Sequence, residues 1–382
     1  MIDYFNITID GDDFPEIGKK VVVRQPSGVK TKSFTEVKIS AGKYAPHFNV
    51  RVETNGQRIR FHGSPAQWLQ GHNGMGSNDF RGLVKKTIRL AFETLEMDCP
   101  ASVSKAIISG NYAVDEVHVA EHYAMPASLI AKLCDDIRRY GVASLKATTI
   151  SPGVGVRLWP GSRDREVLIY DKQNYFLDKL LRHKHKLLGK MPMSFERIGT
   201  GLYFDKMIGQ YLAHGVRIET RHKRDLKNKN LSLDKGFAWN QDAARALHIK
   251  TVEDIPLQDL PSLDVRELIL QKADLKNRTL IALWLAGRDP KAFCPSPATY
   301  YRCRKDILEK YGINLSVPAL MVDGISWKSL TDPANIMEPP EWALESGFVY
   351  DPKRWNGFVD STQYERAWLN SENSSYRSVK SI

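Results

Sequence analysis

Three short stretches hold residue types able to cut and rejoin a phosphodiester. The first is Glu166-Val167-Leu168-Ile169-Tyr170-Asp171-Lys172, with Tyr175 five residues beyond the tyrosine. Tyrosine suits a cut that must be reversed, because a phosphotyrosyl ester lies near a phosphodiester in energy and its phenoxide leaves readily. Strand alternation puts Leu168 and Tyr170 on one face and Val167 and Ile169 on the other. The second stretch, Val114 to Tyr123, carries His118 and His122 on one face with Ala120 between them. Taken alone, such histidines are ordinarily packed or surface residues. The third, Gly215 to Arg224, places Arg217, Glu219, Arg221 and Lys223 on one face, with Val216 and Ile218 toward a core. An acid between two arginines is ordinarily a surface ion pair of little worth.

Something must bring these strands together, and the chain reads as α+β. Alternating segments at 2–10, 19–24, 34–40, 47–53 and 57–63 predict strands separated by Gly, Pro and Asn. A helix is predicted from Asn78, as its cap, to Glu96, followed by the strand Ala113–Tyr123 and a helix Ala127–Tyr140 ended by Gly141. A hairpin joins Val154–Trp159 to Glu166–Asp171, then come a long helix from Tyr175 to Leu188 and a strand at Val216–Lys223. The expected architecture is an antiparallel sheet with helices on one face. Beyond residue 236 the pattern turns helical, at 240–248, 264–271, 277–286 and 298–311. We therefore divide the chain into residues 1–236, a helical domain over 237–335 and an extended, partly disordered tail over 336–382.

Composition narrows the classes. The formal net charge of +11 favours a polyanionic partner. Basic residues crowd the long helix (Lys179, Arg182, His183, Lys184, His185, Lys186, Lys190) and follow the last strand (Arg224, Lys227, Lys229). Binding to phosphates through them would be steeply salt-dependent. Cys99, Cys134, Cys294 and Cys303 form no CxxC pair, which predicts reduced thiols rather than disulfides or a zinc site. No apolar run suffices for a membrane span, the first ten residues are no signal peptide, and no GxxxxGK[ST] loop occurs.

The segment Phe61-His62-Gly63-Ser64-Pro65-Ala66-Gln67-Trp68-Leu69-Gln70-Gly71-His72-Asn73 resembles a stretch of the gene II/X family of filamentous phage replication initiators. Further likenesses follow in order. The stretch from Tyr170 is similar to a Y-x-K-x-x-E motif whose tyrosine nicks DNA in related plasmid initiators. The His118 strand resembles R-[IV]-D-x-T, and the Glu219 strand R-[FI]-E-x-R. Asn277-Arg278-Thr279-Leu280, Leu285 to Asp289, and Tyr300-Tyr301-Arg302-Cys303-Arg304 resemble the family's C-terminal X region. Together these cover roughly residues 1–320.

The resemblance implies a fold like that of the His-hydrophobe-His nickases. It also implies a rolling-circle initiator that nicks one strand of a double-stranded origin through a 5′-phosphotyrosyl link and later rejoins the displaced strand. Tyr170 is then the nucleophile and Lys172 a cation at the phosphate. His118 and Glu219 are ligands of Mg²⁺ or Mn²⁺, with His122 joining if its strand bends. Arg217, Arg221, Lys223, Arg182, Lys184 and Lys186 contact DNA, while His62 and His72 complete the metal site or touch DNA. The Tyr300–Arg304 cluster could grip single strand by stacking.

Two positions depart from the family. His118 stands where an Asp is usual, which keeps a ligand and removes a charge. Tyr175 stands where the motif ends in Glu, so either a carboxylate is lost or a second nucleophile is gained. Host helicase, polymerase and single-strand binding protein are the implied partners, in the host cytoplasm. A DNA-binding protein that holds the origin without cutting, and a plasmid mobilisation relaxase, are the alternatives. A nested X-like product would need a non-Met start, since no Met lies between Met207 and Met321.

Overall fold

A computed structural model describes the chain except for residues 13, 25–29, 41–46, 54–55, 71, 152–154, 176–206, 229–231, 260–268, 287, 317–318, 321–325, 346–348 and 351–382. Its centre is a ten-stranded sheet in which every neighbouring pair is antiparallel. The strands are β1 (Ile2–Asp10), β2 (Lys19–Arg24), β3 (Lys30–Ser40), β4 (His47–Glu53), β5 (Arg58–Gly63), β6 (Ala113–Ala124), β7 (Thr148–Ser151), β8 (Gly155–Leu158), β9 (Arg165–Tyr170) and β10 (Gly215–His222). Their order across the sheet is β2-β3-β4-β5-β1-β6-β10-β9-β8-β7. A short first helix, α1 (Pro65–Gln70), follows β5.

Alternation sorts the two faces. Phe5, Ile7, Ile9, Phe48, Val50, Val52, Ile59 and Phe61 form one core with Phe80, Leu83, Val84 and Ile88. These last come from α2 (Phe80–Thr94), and α3 (Ala101–Ser109) adds Val103 and Ile107. Val156, Leu158, Val167, Ile169, Val216 and Ile218 pack with α4 (Ala127–Leu145) in a second core. Each fully buried side chain of this size contributes about 1.5–3 kcal/mol. The opposite face, where Tyr4, Asn6, Arg60, His62, Glu116 and His118 lie, is polar. Helices on one face and a polar surface on the other is the expected α+β arrangement.

Local details differ from expectation for identifiable reasons. The cap of α2 is Asp79, whose Oδ1 accepts from Gly82 N at 3.0 Å, while Asn78 Nδ2 donates to Glu121 instead. Helix α4 runs through Gly141 to Leu145, since a single helical glycine costs only about 1 kcal/mol. The helix expected from Tyr175 already begins at residue 172, because Asp171 Oδ1 accepts from Asn174 N at 2.9 Å. Helix α3 is an addition with little local signal: Pro100 precedes it without a side-chain cap, and only Gly110, at φ 80°, marks its end. Strand β7 is a further addition, only four residues long. The basic stretch with Lys179, Arg182, Lys184, Lys186 and Lys190, and Lys229 after the last strand, lie outside the described residues.

The C-terminal part leaves the sheet and returns. Helix α5 (Ala243–Glu253) sets Ala244 and Leu247 in the first core and Val252 in the second. Strands β11 (Gln258–Asp259) and β12 (Ala319–Leu320) pair in parallel, so the intervening chain leaves and re-enters at one place. That excursion holds α6 (Leu275–Leu285) and α7 (Pro297–Tyr311), which share a core of Leu280, Ile281, Trp284, Tyr300, Cys303 and Ile307. Returning, α8 (Trp327–Leu330) and Ile336 join the second sheet core. Then α9 (Glu341–Glu345) and Val349 pack with Met75, Ile208 and Leu212. Among the described residues the cysteines are free, and no helix is long and apolar enough to cross a membrane.

His248, on α5, is wholly buried against the Tyr123 ring, with Nδ1 3.2 Å from Thr220 Oγ1. Burial pushes its pKa down to about 3. The unfolded chain, at 6.5, therefore takes the proton first. The stability owed to a neutral His248 is complete above pH 6.5 and is lost as pH falls toward 3. Glu121, held down to about 2 against the pull of burial by neighbouring cations and Asn78, acts only below pH 4.5. Urea melts between pH 6.5 and 4.5 should lose up to about 1.4 kcal/mol per pH unit for each such histidine, and His248→Gln should shrink that slope.

Candidate active site

Strand β10 is buried on both faces, which is unusual for a strand carrying Arg217, Glu219 and Arg221. Its register explains how they meet the other stretches. Arg217 lies opposite His122 and Tyr170, Glu219 opposite Ala120 and Leu168, and Arg221 opposite His118 and Glu166. Directly paired residues share a face, so one sheet face collects all the charged groups.

Glu219, 3 % exposed, is the hub. Its Oε2 accepts from Tyr170 Oη at 3.2 Å, and its Oε1 accepts from Arg221 Nε at 2.7 Å. His118 Nδ1 stands 3.5 Å from the same Oε1, while His118 Nε2 lies 2.9 Å from Glu116 Oε1. The Tyr4 ring stacks on the imidazole at 4.6 Å. Burial alone would raise the pKa of Glu219, but His118 and Arg221 outweigh it and hold the carboxyl far below its ordinary range. Burial likewise pulls His118 down, and its hydrogen bonds to Glu116 and Glu219 win, raising it above 6.5. Tyr170 goes the other way: burial, then Glu219, push its phenol well above 10 despite Arg217.

A second knot lies beside the tyrosine. Arg217 is fully buried, 3.1 Å from Asp3 Oδ1, and donates to the Asn73 carbonyl at 2.7 Å. Asn73 Nδ2 donates to Asp3 at 2.7 Å, and Lys172 Nζ donates to Asn73 Oδ1 at 3.0 Å. The Lys172 ammonium sits 5.2 Å from the Tyr175 ring and 5.9 Å from that of Tyr170. The two rings meet edge-on at 6.1 Å, with Tyr170 buried and Tyr175 45 % exposed.

Tyr170, Lys172, Tyr175, His118, Glu219, Arg217 and Arg221 are therefore brought together. Lys223 stands at the rim, 3.9 Å from Glu116. His122 is not part of the Glu219 cluster: it is buried beside Tyr211, and burial, then Arg217 and Lys172, push its pKa well down. His62 lies across β1 from Glu116, both facing Asn6, and approaches Glu36 at 3.6 Å. His72 accepts from Gly74 N within its own turn.

Sequence reasoning missed Glu116, Asp3, Asn73 and Tyr4. Glu116 had a signal, since it lies two residues from His118 on the same face. Asp3 had none: a bulge between Ile2 and Tyr4 re-aims it toward Arg217.

Among the described residues no group of three or more His, Cys, Asp or Glu is arranged to hold a metal ion. Two donors converge, His118 Nδ1 and Glu219 Oε1, and Glu116 secures the other imidazole nitrogen as outer carboxylates do at metal sites. An imidazole nitrogen beside a carboxylate oxygen is a mixed donor pair that could hold a divalent ion such as Mn²⁺, with water and phosphate oxygens completing its shell.

Residues 1–241 match the family model for the N-terminal part of the phage replication-associated protein, the gene II protein. The chain is also 23 % identical over 335 residues to the replication-associated protein of the same name from Enterobacteria phage I2-2, covering 85 % of this chain and 90 % of that one. No solved structure matches it.

Tyr170 is held from behind by β8. Gly155 lies directly opposite it, and a Cβ there would collide with Tyr170 Cβ and stand 2.6 Å from Ile169 O. Gly155→Ala should destabilise the fold by about 1–3 kcal/mol in urea. Gly209→Ala, whose Cβ meets nothing within 4 Å, should cost nothing.

Proposed function

The chain belongs to the phage replication-associated protein (gene II protein) family, and on that premise we propose that it starts rolling-circle replication of a phage genome by nicking one strand of the duplex origin. Tyr170 Oη attacks the scissile phosphorus. The P–O3′ bond breaks, a P–Oη bond forms, and the phosphate stays on the enzyme as a 5′-phosphotyrosyl ester. Glu219 Oε2 accepts from the phenol and orients it; the phenol proton leaves to water as the P–Oη bond forms, and the departing 3′ oxygen takes a proton from water. The freed 3′-hydroxyl primes synthesis. Host polymerase, helicase and single-strand binding protein act on the opened duplex, and a later 3′-hydroxyl attacks the ester to close the displaced strand.

The observation that carries this reading is the contact of the Tyr170 hydroxyl with a buried carboxylate that His118 and Arg221 already hold. Arg217, Arg221 and Lys172 supply the cations a phosphate needs. A Mg²⁺ or Mn²⁺ ion on His118 Nδ1 and Glu219 Oε1 would neutralise phosphate charge as the bond breaks. Glu116 orients the imidazole for that role. Tyr175, exposed and sharing Lys172 with Tyr170, supports a second reading in which two tyrosines serve the cut and the closure.

The test incubates supercoiled origin DNA with Mg²⁺ or Mn²⁺ and wild type, Tyr170→Phe, Tyr175→Phe or Glu219→Gln. Wild type should give a nicked circle bearing protein at its 5′ end. Tyr170→Phe should give none, and Glu219→Gln should lose roughly a hundredfold or more in rate. Loss with Tyr175→Phe alone would move the nucleophile to that residue. Tight origin binding without any nick from wild type would leave a protein that holds the origin uncut.

A further inference from the structure

The helical module between β11 and β12 carries a surface that the chemistry at Tyr170 does not use. Its core differs in kind from that surface: Tyr300 is buried among Leu280, Ile281 and Trp284, whereas Tyr301 next to it is 50 % exposed. Two cations flank the Tyr301 ring. Arg304, one turn along α7, places its guanidinium 5.3 Å from the ring centroid, and Lys291 places its ammonium at 5.8 Å.

These groups are braced. Arg304 Nη1 donates to Ser316 Oγ at 2.8 Å, and the Tyr300 ring meets Tyr301 edge-on at 5.5 Å. Lys291 sits in the 3₁₀ turn Pro290–Phe293, fixed by Asp289 accepting from its backbone N–H at 2.9 Å. Phe293, closing that turn, is 60 % exposed, and Leu308, two turns after Tyr301, is 46 % exposed. Residues 275–311 hold eight Lys and Arg against three Asp and Glu. Two of those acids, Asp306 and Glu309, are answered within α7 by Lys310 and Lys305.

An exposed aromatic ring with two cations near it, on a basic module, suits single-stranded nucleic acid: bases stack on the ring while cations take the backbone. In a duplex the base faces are already stacked on one another. The geometry points to a single-stranded DNA platform on this module, in which a base stacks on Tyr301 while Lys291 and Arg304 hold the phosphates on either side. It would hold the strand displaced after the nick, and only that placement in the cycle rests on the proposed nicking role. The binding itself requires neither an origin nor a cut.

The test uses the full chain with a thymidine oligomer bearing 5-iododeoxyuridine, in EDTA, so that failure of nicking leaves the result unaffected. Irradiation should crosslink the base to the peptide containing Tyr301. Tyr301→Ala should abolish that crosslink and weaken binding roughly tenfold, with Tyr301→Phe near wild type and unchanged melting for both. Lys291→Ala should reduce the salt dependence of binding. Absence of any crosslink to this peptide, or equal competition for it by a duplex of the same length, would overturn the proposal.

Discussion

A carboxylate cannot be buried in a sheet unless neighbouring charge and hydrogen bonds replace the water it loses; otherwise the penalty is several kcal/mol. Glu219 meets that condition through groups on three strands, and those groups need partners in turn. His118 is answered by Glu116, Arg221 by Glu166 at 3.9 Å, and Glu166 by the Gly161 N–H at 2.8 Å. Beside this row Arg217 is answered by Asp3 and the Asn73 carbonyl. The network therefore spans β1, β6, β9, β10 and the turn before α2. Removing any member leaves another charge buried and uncompensated. Such a cluster is costly as a source of stability and well suited to presenting preorganised charge.

How much of this is legible in the sequence follows from the physics of strands. Alternation has period two, so the faces of β9 and β10 can be read directly, and Tyr170, Glu219 and Arg221 each fall on a defined side before any pairing is known. Register is another matter. Whether Glu219 faces Ala120 or His122 depends on long-range pairing with β6, which no local pattern encodes; opposite Ala120 it has a histidine two residues to either side, and the contact forms with His118. The turn that resembles the phage initiators draws attention to His72, while the residue it ties into the charged cluster is Asn73, one position on, because the turn aims the amide between Asp3 and Lys172. Asp3 depends on a bulge, and a bulge has no signature in Ile2-Asp3-Tyr4.

The return of the chain after the helical module adds a non-local constraint on the same site. Met337 N donates to the carbonyl of His122 at 2.7 Å, and Tyr211 Oη donates to Met337 O at 3.0 Å. Tyr350 N donates to Gln70 Oε1 at 3.0 Å, and Gln70 Nε2 in turn holds the Met75 carbonyl at 2.6 Å. The end of β6 and the turn carrying Asn73 are thus fixed partly by residues far later in the chain. Arg245 joins the same ties, bridging buried Glu121 and Glu338. From the sequence this return looks like tail, because its isolated Trp and Tyr residues have no period of their own. Their partners lie in the N-terminal half.

At rest cations and carboxylates are interleaved in near balance: Arg217, Arg221, Lys172 and, at the rim, Lys223 stand among Glu116, Glu166, Glu219 and Asp3, with His118 between Glu116 and Glu219. That balance keeps Tyr170 protonated, since burial and the adjacent Glu219 both oppose a phenoxide. A neutral phenol is a poor nucleophile, so the resting site is quiet. In the proposed reaction a phosphodiester brings one more negative charge, and loss of the phenol proton adds another, shared by the phosphoryl oxygens and the departing 3′ oxygen. Arg217 and Arg221 already answer carboxylates, Lys172 answers the Asn73 amide, and an imidazole that takes a metal ion gives up its proton, so these side chains alone leave a deficit. This imbalance is the physical reason for including a divalent cation in the proposed reaction. It also favours a place for that cation where His118 and Glu219 converge, because the other oxygen of Glu219 already touches the attacking phenol and so lies beside the phosphate in the proposed reaction.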